Sequence, residues 1–209
     1  MTRTAHAKVE SYHRQRIALR SWLLGRSWFA AVRAMDYAEG YHNGLRKDGV
    51  TPEFAHQVQI ALHATTLVPH LLYPQETVTV AFLHDIAEDY DVEFDVIEMK
   101  FGKQVSDSVR AMTKIHKGVK RDPHEVAAAQ AADPIASVAK GIDRNHNQST
   151  MVGVFTDEKI ASYLDETREF ILPMLKQGRR NFPEQDGAYQ NVRTSLVAQM
   201  DMLEAVIGN

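Results

Sequence analysis

The sequence contains no cysteine, which excludes disulfides, thiolate nucleophiles and cysteine-based zinc sites. It also lacks any apolar run near the roughly 20 residues that a membrane-spanning helix needs. The start, Met1-Thr2-Arg3-Thr4-Ala5-His6, has no signal-peptide apolar stretch. A cytoplasmic protein without a membrane partner is the expectation. Positive charge is not in excess. With 24 Lys and Arg against 27 Asp and Glu the formal net charge is −3, whereas a general nucleic-acid binder is basic overall. No nucleic-acid partner is expected. Strand signals are scarce too, since only Thr77-Val78-Thr79-Val80 shows a brief β-like run. There is no internal repeat and no low-complexity linker. A chain of 209 residues, 44% of them hydrophobic, is sized for one domain with a sizeable core. The fold class expected is all-α, one domain over 1–209, with a core of about 28–176 and a helical extension of about 177–209.

What is present is helical periodicity and histidine, ten residues of it. The pattern predicts helices over His6–Leu24, Trp28 to about His42, and a third that Thr51 caps, with Pro52 at its first position. This third helix carries His56. A further helix runs from about Gln75 to Asp89, followed by Phe94–Phe101 and Val105–Ile115. Lys114 to Pro123 reads as a basic loop. Then come His124–Ala132, a helix opened by Asp133-Pro134 and running to about Gln148, and Thr156–Lys176 with Pro173 as a kink. Gln177–Gly187 reads as a loop and Ala188–Ile207 as the last helix. His63, His70 and His146 are read as packed or surface histidines and Arg144 as structural.

The densest chemistry lies in His84-Asp85-Ile86-Ala87-Glu88-Asp89. An adjacent His-Asp pair offers imidazole nitrogen and carboxylate oxygen to one point, a set that suits a divalent cation. On a continuous helix Glu88 follows His84, and Asp89 follows Asp85, by one turn. Two acids would then overhang the metal's water. His56 and Asp143 are further ligand candidates. Read alone, His56 could be a satisfied histidine near a helix start, and Asp143 could pair with Arg144.

Four blocks in order resemble the HD-domain phosphohydrolases, and within them the hydrolase domain of the RelA/SpoT homologue family, which degrades the alarmones (p)ppGpp. They are Arg46-Lys47-Asp48-Gly49-Val50-Thr51-Pro52 followed by His56; His84 to Asp89; Phe101-Gly102, Val105, Val109 and Thr113-Lys114; and Lys140, Asp143, Arg144, His146, Asn147 and Thr150. The resemblance implies a helical bundle in which His56, His84, Asp85 and Asp143 hold one Mn²⁺ or another divalent cation. Glu88 and Asp89 would act on the attacking water, with Glu88 in the leading role. Arg46 would stack on a purine, Lys47 neutralise phosphate, and Asn147 and Thr150 bind ribose or phosphate. The implied partner is a small nucleotide, with no oligomeric state implied. The implied reaction is hydrolysis of the 3′-pyrophosphate of (p)ppGpp to GDP or GTP and pyrophosphate. Alternatives are an HD phosphohydrolase acting on NADPH or a dNTP, and a non-catalytic alarmone-binding module. The chain departs from the family pattern at Gln57, Tyr90, Gly141 and Gln148-Ser149, none of which is expected to touch a ligand.

Overall fold

The structure is a computed structural model describing residues 3–208; Met1, Thr2 and Asn209, which the single-domain reading includes, lie outside the described residues. Twelve α-helices are described: α1 Arg3–Gly25, α2 Phe29–Glu39, α3 Ala55–Thr66, α4 Pro74–Leu83, α5 Ile86–Asp89, α6 Phe94–Phe101, α7 Lys103–Met112, α8 Pro123–Ala131, α9 Pro134–Ser149, α10 Asp157–Glu166, α11 Leu172–Asn181 and α12 Asp186–Ile207. The only sheet among the described residues is a hairpin, β1 Ile115–His116 with β2 Val119–Lys120. The all-α expectation holds.

The helix starts follow elementary capping. Asp122 accepts from the His124 and Glu125 amides, with Pro123 next to it, and Asp133 accepts from those of Ile135 and Ala136, with Pro134 next to it. Each pair satisfies two amides that the helix itself leaves orphaned and uses proline where no amide is needed. α4 packs between α2, α3 and α9. Residues Thr77 to Leu83 are all buried, so the strand-like Thr77–Val80 stretch is helical. Thr77 and Thr79 turn their hydroxyls onto the Tyr73 and Gln75 carbonyls, each at 2.8 Å. Burial on every side overrides β propensity here. Phe82, Leu83, Ile60 and Ile142 are fully or almost fully buried, each worth about 1.5–3 kcal/mol.

Five expectations need correction. Thr51 does not cap α3, which begins at Ala55. Asp48 accepts from the Val50 and Thr51 amides and from the Thr51 hydroxyl, and Leu45 bridges to Pro52; the stretch closes on itself as a loop. The helix expected from Gln75 to Asp89 breaks after Leu83, and α5 restarts at Ile86 with Asp85 before it. The basic stretch contains the hairpin, turned by Lys117 and Gly118 with φ of 50° and 76°; two successive left-handed residues make the tight turn that a two-residue hairpin needs. α7 accordingly ends at Met112, short of Ile115. Finally, Gln177–Gly187 is largely helical, because α11 continues to Asn181 and α12 begins at Asp186. Pro173 sits in the first turn of α11, after a π-turn, Thr167–Ile171, in which the Leu172 amide donates to the Thr167 carbonyl.

Candidate active site

The two ring nitrogens of His84 do different things. Its Nδ1 donates to the Ala81 carbonyl at 3.0 Å, since a carbonyl only accepts, and so Nε2 is the nitrogen turned the other way. That buried Nε2 has no well-aligned hydrogen bond, although Asp85 Oδ2 lies 3.0 Å away. From α3, His56 brings its Nε2 to 3.1 Å from Asp143 Oδ1 and 3.8 Å from Asp85 Oδ2. Asp143, on α9, lies 3.8 Å from His84 Nε2. His56, His84 and Asp143 each place a donor atom within 4.8 Å of the others. Asp85 stands beside this trio, within 3.8 Å of both imidazoles. The break after α4 is what lets consecutive residues, His84 and Asp85, face one point.

The electrostatics demand positive charge at the centre. Burial disfavours a charged His84, but Asp85 and Asp143 outweigh it and push the imidazole pKa up to about 10. For Asp85, burial opposes ionisation, yet His84 holds it down at about 2. Asp143 is likewise held well below the usual carboxylate range, against its burial, by Lys140 and the two histidines. A divalent cation would meet the same demand. The mixed imidazole and carboxylate donors, with an orphaned buried nitrogen aimed among them, fit one.

The trio forms one wall of a cavity of about 280 Å³. Arg46, Lys114, Lys140 and Arg144 supply positive charge, and Glu53, Glu88, Asp89 and Glu166 line it as well. Lys140 Nζ donates to Asp143 Oδ2 at 2.6 Å and Asn147 Nδ2 to Asp143 Oδ1 at 2.7 Å. Glu166 pairs with Arg144 at 3.0 Å and with Lys114. Glu88 Oε2 accepts from the Lys114 amide at 2.7 Å. Desolvation together with the nearby Asp85 and Glu88 raises Asp89 to about 6, so this carboxyl can take and return a proton near neutrality.

Of the residues expected from sequence, His56, His84, Asp85, Glu88, Asp89, Arg46, Asp143 and Asn147 all line the cavity. Lys47 and Thr150 are absent from its lining. The Lys47 ammonium sits over the Phe155 ring, 4.8 Å from its centroid, and the Thr150 hydroxyl is taken up by the His146 and Asn147 carbonyls.

Several neighbours escaped the sequence reading. His146 Nδ1 meets His56 Nδ1 at 2.8 Å, which fixes the His56 ring and leaves its Nε2 for the site; burial and His56 push His146 down to about 3, so it stays neutral. Its position three residues beyond Asp143 on α9 was the available signal. The departures are not all remote from the ligands, contrary to expectation. Gln57 Nε2 donates to Asp85 Oδ2 at 3.3 Å and lies 3.3 Å from His42 Nε2. Tyr90 donates to Glu53 Oε2 at 3.2 Å and lies 3.4 Å from His42 Nδ1. Gly141 admits α11 and α12, because a Cβ there would meet Val192 Cγ1 at 2.6 Å and Leu175 Cδ2 at 2.9 Å.

Known proteins resemble this chain in sequence and in fold. The guanosine-3′,5′-bis(diphosphate) 3′-pyrophosphohydrolase of Aquifex aeolicus is 31% identical over 147 residues, 68% of this chain and 20% of the relative. The bifunctional (p)ppGpp synthase/hydrolase SpoT of Escherichia coli K12 is 28% identical over 145 residues, 66% of this chain and 20% of that protein. The chain thus spans about a fifth of the length of these curated relatives. A solved structure, described as a metazoan ortholog of SpoT that hydrolyzes ppGpp, superposes with a TM-score of 0.58 at 21% identity, covering 78% of this chain and 94% of the other; that likeness is one of fold. The profile of the HD domain matches residues 34–201, a span that takes in all four donors and reaches into α12, and this chain belongs to the HD domain family.

Proposed function

We propose that this chain is a cytoplasmic, Mn²⁺-dependent hydrolase that removes the 3′-pyrophosphate of (p)ppGpp, acting as one HD-type domain. The observation that carries the reading is the meeting of His56, His84 and Asp143, with Asp85 beside them, in a cavity that also presents Glu88, Asp89 and four basic side chains. The names of the relatives support the substrate.

His56, His84, Asp85 and Asp143 would hold the cation, which when bound supplies acidity to a water and shields the phosphate's charge. Glu88, with Oε2 anchored on the Lys114 amide, turns its other oxygen to the water. Asp89 takes the water's proton as the water attacks phosphorus and the bond from phosphorus to the ribose 3′ oxygen breaks. The same carboxyl returns a proton to that oxygen, releasing GDP or GTP and pyrophosphate. Arg46 offers a planar guanidinium to the purine face, Asn147 an amide to the ribose, and Lys140 and Lys114 their charge to the phosphates.

The test is turnover of ppGpp, pppGpp, NADPH and dNTPs by Mn²⁺-loaded protein, with products identified, beside Asp85→Asn. The expected result is pyrophosphate with GDP or GTP from the alarmones, and loss of both bound metal and activity in Asp85→Asn with helix content unchanged. Turnover confined to NADPH or a dNTP would overturn the substrate. Tight alarmone binding without turnover would make the protein a sensor.

A further inference from the structure

α5 is a single turn of four residues, yet it carries both acids proposed to act on the water, Glu88 and Asp89. A helix leaves its last four carbonyls without intrahelical partners, so the hold on this turn comes from outside it. The Val92 amide takes the Ile86 carbonyl at 3.2 Å. The Ala87 carbonyl is taken by a side chain, because His116 Nδ1 donates to it at 2.9 Å. That carbonyl shares its peptide plane with the Glu88 amide, so fixing it fixes the direction in which Glu88 leaves the backbone. Just before β1, the Lys114 amide donates to Glu88 Oε2 at 2.7 Å. Glu88 is thus held at its backbone and at its carboxylate by residues only two apart. The rest of the hairpin is fastened to the same stretch. The Lys117 amide donates to Asp91 Oδ1 at 2.9 Å, and the Lys117 ammonium pairs with Glu93. Asp91 and Lys117, which meet here, have φ of 51° and 50°. Residues with a side chain keep that left-handed backbone where their surroundings enforce it.

We infer that the hairpin is a strap that positions Glu88, and that His116 is the positioning residue that fastens it. His116 is absent from the lining of the cavity and acts through the Ala87 peptide. For its catalytic consequence the inference rests on the proposed role of Glu88 in orienting the water. Unstrapped, the single turn would present Glu88 over a spread of directions, and a group misplaced by about 1 Å can cost about a hundredfold in rate. The His116 ring also lies against Phe94, with centroids 4.7 Å apart, and its Nε2 is 3.7 Å from Glu93 Oε2. Two roles can therefore be told apart. A side chain that only filled space would do so through its ring, whereas one that fastens the strap does so through its Nδ1–H.

The test is a pair of variants in the full chain. His116→Phe keeps the ring against Phe94 and removes the donor. His116→Asn gives up the ring and keeps an N–H at the position of Nδ1, since both atoms are bonded to Cγ. Two measurements are made on each. Amide hydrogen exchange by NMR, with Mg²⁺ in place of paramagnetic Mn²⁺, reads the strap itself. In His116→Phe the Lys114 and Lys117 amides should exchange roughly five- to tenfold faster, what one neutral hydrogen bond contributes to local opening, with the amides of α9 unchanged. In His116→Asn they should return to wild-type rates. Steady-state turnover of ppGpp by Mn²⁺-loaded protein reads the consequence. In His116→Phe kcat should fall about ten- to a hundredfold, with KM and Mn²⁺ affinity unchanged, and His116→Asn should restore it. Unchanged exchange at Lys114 in the phenylalanine variant would overturn the inference. So would an asparagine variant as impaired as the phenylalanine one, a loss lying in KM or metal affinity, or faster exchange with kcat intact. A wild-type protein that turns over nothing would sink the proposed reaction alone, because the exchange rates still decide whether His116 holds Glu88.

Discussion

In the proposed mechanism Glu88 and Gln57 act beside the metal without binding it, Glu88 from the Lys114 amide and Gln57 from Asp85. Glu88→Gln keeps the size and the contact to the Lys114 amide but turns an N–H to the water where an acceptor is needed to orient it. Turnover is expected to fall by about two orders of magnitude, the cost of a misplaced reactant, while metal content and nucleotide affinity stay near wild type. Parallel loss of bound metal and turnover would make Glu88 a ligand instead. Gln57 holds Asp85 by its amide, 3.3 Å away. Gln57→Leu removes that donor, so affinity for Mn²⁺, measured by calorimetry, is expected to drop about 10- to 100-fold, as when outer partners of metal ligands are lost. Unchanged affinity would show that Asp85 is set without it. That His56, His84, Asp85 and Asp143 meet was legible, because His-Asp adjacency and the ordered blocks survive as sequence. Gln57 was not, since the neighbour of a helical ligand ordinarily points about 100° away. Only the close packing of α3 on α4 buries both His56 and Gln57. That Lys47 and Thr150 lie off the cavity lining was hidden too, since loop direction and back-bonding to helix carbonyls leave no trace in spacing.

At the scale of elements, Glu166 ties the end of α10 to Arg144 of α9 and to Lys114, just past α7. Burial pushes its carboxyl up, but Arg144 and Lys114 outweigh this and bring it from 4.5 down to about 2. A folded carboxyl more acidic than the unfolded one stabilises fully above the ordinary value, and the contribution fades as pH falls through 4.5 towards 2. Glu166→Gln should therefore be less stable than wild type at pH 7, and the gap should narrow on acidification over that window, as followed by urea unfolding at stepped pH. A constant gap would remove the ionic origin of the tie. The helix that Asp133-Pro134 opens was read correctly, because cap and proline act within a few residues. The hairpin was missed because two-residue strands carry no period and their turn depends on Lys117, an unusual residue for positive φ. The break after Leu83 was equally hidden, since every residue from Phe82 to Ala87 is compatible with a helix.

For the whole molecule, the donor set joins α3, the α4–α5 junction and α9, three stretches far apart along the chain. A cation that binds only the assembled set stabilises the fold by mass action. At about 100 times its dissociation constant, Mn²⁺ should add about 2.7 kcal/mol to the unfolding free energy, and Asp85→Asn should show none of this gain. Equal gains in both proteins would mean that the metal binds elsewhere. The distance between these stretches also sets when the gain arrives. α3, α4 and α9 must already be packed before His56, His84 and Asp143 can approach one another, which predicts that the donor set closes late, after the folding barrier. Interactions absent from that barrier leave the folding rate alone and appear in the unfolding rate. In stopped-flow chevrons, saturating Mn²⁺ should lower the unfolding limb by roughly a hundredfold and leave the refolding limb in place. The catalytic centre would then double as a kinetic clasp, setting how long the native protein lasts rather than how fast it forms.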